Sequence, residues 1–306
     1  MNIGVGVEHD EEAPVRVNNG AGSVRVGGGG RRWGRLQRLR QTPSSVAMFA
    51  ALALVSFVML YPFGFMILNS LRTQTQFMSG SGFSTASWGA LFAALPVGVE
   101  LLNSSLLCVA AIAIILIVAS MAGFAFAKLQ FRRQSFVFLA IIGSMMVPLQ
   151  SIIIPEYTNL ASVHLINNYL SPILVYAALG TPFATFLMTV FFRGLPDELV
   201  EAALCDGLGY LGVFWRIAVR MAGPALATVA VLQFIQIWDD LLVALLFLQE
   251  PTNRTITVGL GVLSSGRVVS IPTLMAGSLV SAIPAVLVYL FFQRYLVSGL
   301  TLGVSR

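Results

Sequence analysis

The chain has 306 residues, of which 57% are hydrophobic and only 10% charged, and its mean hydropathy is +0.85. Soluble domains carry about 25% charged residues, so this composition excludes a water-soluble globular protein and makes lipid the solvent for much of the chain. The formal net charge is +5. The cysteines (Cys108, Cys205) and histidines (His9, His164) stand at no metal-ligand spacing, which leaves metal catalysis without support.

In chain order, residues 1–45 open acidic (Glu8, Asp10, Glu11, Glu12), turn glycine-rich and end basic (Arg31, Arg32, Arg35, Arg38, Arg40). The tail has too few large apolar side chains to fold alone and is expected to be disordered. Its glycine run lacks a following Lys-Ser or Lys-Thr and is no phosphate loop. Six apolar stretches follow, at 46–68, 103–126, 135–155, 169–192, 224–248 and 274–296, each long enough to cross about 30 Å of hydrocarbon. The expected fold is therefore an all-α polytopic membrane protein with six transmembrane helices. With the N-terminus in the cytosol, fifteen of the 18 Lys and Arg residues fall on the cytosolic side, and only Arg72, Arg254 and Arg267 fall outside. Both termini are thus expected to be cytosolic. The basic charge sets topology, and no nucleic-acid partner is needed to explain it.

The loop between the fourth and fifth spans carries the strongest local pattern. It reads Arg193-Gly194-Leu195-Pro196-Asp197-Glu198-Leu199-Val200-Glu201-Ala202-Ala203-Leu204-Cys205-Asp206-Gly207. Pro196 suits a helix's first turn, Asp197 and Glu198 suit its positive end, and Gly207 suits a left-handed C-terminal cap. A second helical stretch, Tyr210 to Val219, follows. Leu199, Ala202 and Ala203 give the first helix an apolar side beside a carboxylate-rich one. Either a soluble protein grips it in a groove or it rests on lipid headgroups.

Glu201-Ala202-Ala203, three residues, Gly207, nine residues and Ile217 resemble the EAA loop of binding-protein-dependent ABC importer permeases. Further resemblances lie in Pro62-Phe63, Asn69-Ser70-Leu71-Arg72-Thr73, Asn103-Ser104, Ala125-Phe126-Ala127-Lys128-Leu129, Met145-Met146-Val147-Pro148 and Ile154-Pro155. The ending Phe292-Gln293-Arg294-Tyr295-Leu296 through Thr301 extends them. Residues 46–306 look most like the MalG-type subunit of carbohydrate importers. Arg220 stands where that family usually has proline, and Glu156 where it has an apolar residue.

The resemblance implies a non-catalytic subunit, with ATP and Mg on a separate ATPase dimer that docks on Glu198, Glu201, Ala202, Ala203, Asp206 and Gly207. It also implies a second permease (a heterodimer), an extracytoplasmic solute-binding protein, a di- or oligosaccharide substrate, and alternating access in the plasma membrane. The chain has no cofactor of its own on this reading; its partners are those proteins, sugar and membrane lipid.

The fifth span holds Gln233, Gln236, Trp238, Asp239 and Asp240. At 100° per residue Gln233, Gln236 and Asp240 share a face, with Asp239 at its edge. These residues either line the path, with Trp238 stacking on a sugar, or bond subunits together. Asn103 either lines the path or, with Ser104, caps the second span. Met145 and Met146 read as packing residues, and Glu156 as a charge in an external loop. An ion-coupled secondary transporter with Asp239 or Asp240 as proton site is the alternative, although no inverted repeat supports it. A membrane enzyme lacks a nucleophile-base pair.

Overall fold

The computed structural model describes residues 43–266 and 270–301, with side chains over 47–266 and 270–295. The expected tail, 1–45, lies outside the described residues except for its last three, which begin the first helix. The chain separates into two units, Met1–Val55 and Ser56–Arg306. The core described below belongs to the second.

All regular structure among the described residues is helical. Helix α1 runs Pro43–Ser70 and is almost wholly exposed over residues 47–68, an apolar surface that only lipid or another protein can cover. Its buried end is polar but satisfied: Asn69 Nδ2 donates to Phe65 O at 2.8 Å and Ser70 Oγ to Ile67 O at 2.8 Å. Thr73 and Gln76 form a capping box that starts the short α2, Gln74–Ser79, which stops at Gly80 with φ +71°. Helix α3, Ala86–Ala94, leads to α4, Val97–Lys128.

Helices α4 and α7 (Leu170–Arg193) form the central pair. The buried stripe of α4, Leu107, Cys108, Ala111, Ile115 and Ala119, repeats every three or four residues. Apolar burial drives little helix association in lipid, so close packing over small residues carries it. A Cβ added at Gly123 would lie 2.7 Å from Met188 Cβ on α7, and one at Gly180 would lie within 3 Å of Ile115 and Gln233. These glycines let the backbones approach.

In sequence, α4 is followed by α5, Gln134–Ser144, and α6, Leu149–Ser162, bent by 92° at the break. The expected span 135–155 is therefore not one straight helix. Pro148 N-caps α6 with extended backbone, and the residue before a proline resists the helical region. Met145 and Met146 sit in this break, both exposed on the surface of the chain. Glu156 lies inside α6, half-buried, and not in a loop.

After α7 come α8, Asp197–Cys205, then a continuous helical run of α9, Tyr210–Val213, a π turn, Phe214–Ala218, and α10, Val219–Met221. A 74° bend leads to α11, Gly223–Trp238. The expected span 224–248 is corrected here: its helix ends at Trp238, and α12, Leu242–Phe247, is a separate short helix. Helix α13, Ile256–Ser264, and α14, Ile271–Thr301, complete the fold. Among the described residues four helices are long and apolar enough to cross a membrane, and the number reaches six where each bent pair counts as one span. The expected second span, 103–126, begins earlier, at Val97.

Candidate functional site

Helix α8 is held at both ends. Pro196 is its N-cap, and Asp197 and Glu198 occupy the first turn, where negative charge complements the helix dipole. From the last turn of α4, Lys128 Nζ donates to Leu195 O at 2.6 Å and to Asp197 Oδ1 at 2.5 Å. The Lys128 side chain is 3% exposed and that of Asp197 78%, so a buried cation from the central pair fixes an exposed helix start. At the other end Gly207 has φ +84°. Leu208 N donates to Ala203 O and Gly207 N to Leu204 O, both at 3.0 Å, the two bonds of a Schellman motif.

The faces of α8 differ from the expected ones by one residue. Val200 and Ala203 are buried, whereas Glu198, Leu199, Glu201, Ala202, Cys205 and Asp206 are exposed. Leu199 and Ala202 therefore accompany the carboxylates on the outer side, and Ala203 belongs to the inner side. Under the loop, Phe124 of α4 meets Phe192 of α7 edge-on at 5.7 Å and Phe214 of the π turn at 5.5 Å. These rings join the π turn after α8 to the adjoining ends of α4 and α7. The helical run through Arg220 is unbroken and turns at Ala222, with Pro224 in the first turn of α11.

The polar residues around α11 do not share one face. Gln233 is buried against Gly180, while Gln236 is exposed. Trp238 is 3% exposed; its Nε1 donates to Ser281 O at 3.0 Å and its ring stacks on Phe234 at 5.2 Å. The void beside it, lined by Ser104, Cys108, Tyr176 and Thr255 among others, measures about 10 Å³, which cannot admit a sugar. Asp239 is exposed beyond the helix end. Asp240 Oδ1 accepts from Tyr176 Oη at 2.8 Å and from Val243 N at 2.9 Å, so this carboxylate ties α7 to the start of α12.

Asn103 stands in the second turn of α4, inside the helix rather than at its cap. Its Nδ2 donates to Thr252 O and Arg254 O, each at 3.0 Å, and Ser104 Oγ accepts from Ile256 N at 3.0 Å. Nearby, Asn167 Oδ1 accepts from Gln249 N at 2.7 Å and Glu250 N at 3.0 Å, and Asn167 O accepts from Asn253 Nδ2 at 3.0 Å. Together these bonds clamp the α12–α13 connection to α4 and to the start of α7. Among the described residues no group of three or more His, Cys, Asp or Glu could hold a metal.

Comparison with known proteins now decides the family. Residues 115–302, more than half of the chain, match the family described as binding-protein-dependent transport system inner membrane component. The chain belongs to this family. It is similar to the arabinooligosaccharides transport system permease protein AraQ of Halalkalibacterium halodurans, 33% identical over 66% of this chain and 71% of that one. It is also similar to the diacetylchitobiose uptake system permease protein NgcG of Streptomyces coelicolor, 27% identical over 87% and 92%. The fold resembles a chain of a bacterial ABC transporter that imports alginate, with a TM-score of 0.70 over 82% of this chain and 96% of that one at 21% identity. The permease is thus an inner-membrane ABC importer component and not an enzyme; the ATPase of such a system is a separate subunit.

Four residues with roles in the permease escaped the sequence reading. Lys128 reads as a topogenic charge, but its place within Ala125-Phe126-Ala127-Lys128-Leu129 was a signal. The Asn167-Asn168 pair before α7 suits a left-handed turn, and Asn167 has φ +61°. Tyr176 gives no such signal. Glu100 is 2% exposed, its Oε2 has no hydrogen-bond partner among the described residues, and a Cβ at Gly259 would come within 2.5 Å of it.

Proposed function

We propose that the permease forms half of the translocation path of an importer for a di- or oligosaccharide, driven by an ATPase dimer that grips α8. A second permease, in a heterodimer, completes the path, and an extracytoplasmic solute-binding protein delivers the sugar. The observation that carries the reading is the exposed outer side of α8: Glu198, Leu199, Glu201, Ala202 and Asp206 on a helix braced by Lys128 and closed by Gly207. A helix offered this way suits a groove in a soluble partner.

In the mechanism, ATP and Mg bound on the partner close the ATPase dimer and move the paired α8 helices together. The Phe124–Phe192–Phe214 contact passes that movement to α4 and α7. The outer ends then open, sugar enters from the binding protein, and hydrolysis restores the inward state. Coupling requires that nucleotide favour one state over the other. Gln236 and Asp239, which remain exposed, face the path; Gln233, Trp238, Asp240 and Asn103 shape its wall. The names of the arabinooligosaccharide and diacetylchitobiose relatives support sugar as substrate class. Both termini lie in the cytosol, as the arginine distribution predicts.

An ion-coupled transporter built on Asp239 or Asp240 finds no support: Asp240 is engaged by Tyr176 and Val243, and the family is ATP-driven. The test is uptake into proteoliposomes holding both permeases and the ATPase, supplied with binding protein and labelled oligosaccharides. Uptake that needs ATP inside the ATPase compartment and ignores an imposed proton gradient is the expected result. Uptake driven by the gradient alone overturns the reading.

A further inference from the structure

A cavity of about 380 Å³ opens where α4 ends, α5 begins and α7 ends, lined by Phe126, Gln134, Ser135, Phe138, Leu139 and Arg193. Its floor is aromatic: Phe126 lies 5.3 Å from Phe138 and 5.7 Å from Phe131. Gln134 Nε2 donates to Phe126 O at 2.7 Å and pins the start of α5 to α4. The Arg193 guanidinium sits over the Phe138 ring at 5.6 Å. That contact holds the cation in place while leaving its N–H donors open. Arg132 and Arg133, both exposed, immediately precede the lining residue Gln134.

None of the three arginines has a carboxylate partner among the described residues, where the one ion pair is Lys128–Asp197. One uncompensated cation in the lining of a half-apolar pocket between membrane helices, with two exposed cations next to the lining residue Gln134 in sequence, calls for an anion with an apolar body. We propose that this cavity binds the phosphate-bearing headgroup of an anionic membrane lipid. Its phosphate meets Arg193 and Arg133, and its glycerol and first methylenes lie on Phe138 and Leu139. Basic pockets between membrane helices take such headgroups, and Arg matches phosphate geometry in a way that a diffuse surface charge does not. The pocket adjoins α5 and the Lys128 end of α4, so a bound lipid props the helix ends that seat α8.

The test uses the assembled transporter in nanodiscs of mixed phosphatidylglycerol and phosphatidylcholine, with lipid retained after delipidation measured by mass spectrometry. The wild type is expected to retain phosphatidylglycerol over phosphatidylcholine, and each arginine replaced in Arg133→Gln/Arg193→Gln lowers that preference roughly fivefold. The Arg133→Lys/Arg193→Lys variant keeps part of it and reports on folding. Arg216→Gln/Arg220→Gln, outside the pocket, leaves it unchanged. Equal loss from the outside pair means diffuse charge attraction and overturns the proposal, as does the absence of any preference in the wild type. Glycerol phosphate in detergent displacing the retained lipid at the same concentration from wild type and pocket variant also overturns it. Saturable glycerol phosphate binding without lipid retention assigns the cavity to a soluble anion instead.

Discussion

Lys128 Nζ lies 2.5 Å from Asp197 Oδ1 and 2.6 Å from Leu195 O, so one buried ammonium joins the last turn of α4 to the N-cap region of α8. The lysine stem is enclosed while the aspartate is largely exposed. The two bonds therefore differ in weight: the exposed carboxylate contributes less than about 1 kcal/mol. The sheltered carbonyl bond, made by a charged donor, contributes about 1.5–3 kcal/mol.

The unequal weights predict an order of effects. Asp197→Asn leaves transport near wild type, whereas Lys128→Met, which loses both bonds, lowers binding-protein-stimulated ATPase activity several-fold while the subunits still co-purify. ATPase assays on the two purified variants check the order. Equal loss from both variants contradicts it.

Gly207 has φ +84° with open space where a Cβ would point. Gly207→Ala therefore meets only the backbone cost of the left-handed region, about 1–2 kcal/mol, and is expected to retain partial transport. Gly207→Pro cannot adopt that φ and loses the N–H bond to Leu204 O. It is expected to abolish coupling in the same uptake assay.

Gly123 lets α4 and α7 touch: its added Cβ would stand 2.7 Å from Met188 Cβ and 2.9 Å from backbone atoms of Met188 and Thr189. Overpacking of this kind costs about 1–3 kcal/mol. Gly123→Ala should lower the thermal midpoint of the solubilised complex. Gly98→Ala, on the same helix with nothing within 4 Å, should not lower it and can raise it slightly, since alanine has less backbone freedom to lose.

Asp240 is read as a structural acceptor. Asp240→Asn keeps an oxygen for Tyr176 and Val243 and should preserve most uptake. Asp240→Ala should lose it, and Tyr176→Phe should fall between, since a hydrogen bond to a carboxylate contributes about 1.5–3 kcal/mol. Transport assays with the three variants check this. Loss of coupling in Asp240→Asn alone would point to a titrating role instead.

Much of this was legible in the sequence because lipid imposes long apolar runs, and because Pro196, Gly207 and the carboxylates of α8 each carry a local signal. The break at Pro148 lies inside an apolar run, 135–155, that reads as one span, since prolines are tolerated within membrane helices. The break after Trp238 was not legible either: it depends on Asp240, 64 residues from Tyr176, capping a second helix. The polar face drawn through Gln233, Gln236 and Asp240 runs past Trp238, where the helix ends, so Asp240 falls outside its periodicity, while Gln233 and Gln236 lie within the helix and differ in burial. The side assignment on α8 differs by one residue, because Val200 and Leu199 are both apolar and the sequence pattern alone does not say which one tertiary packing covers. Asn103 looked like a cap because Pro96 and Glu100 hid the true start of α4.

The docking of an ATPase on α8 can be read from a native residue. Cys205 is exposed on the outer side of this helix, whereas Cys108 is buried, so a maleimide reports Cys205 first. The measurement is its labelling rate in the permease pair alone and in the full complex with ATPase. The account predicts fast labelling of the pair and strong protection in the complex, relieved when the ATPase is stripped away. Equal labelling rates in both would contradict it, since the helix would then face no partner.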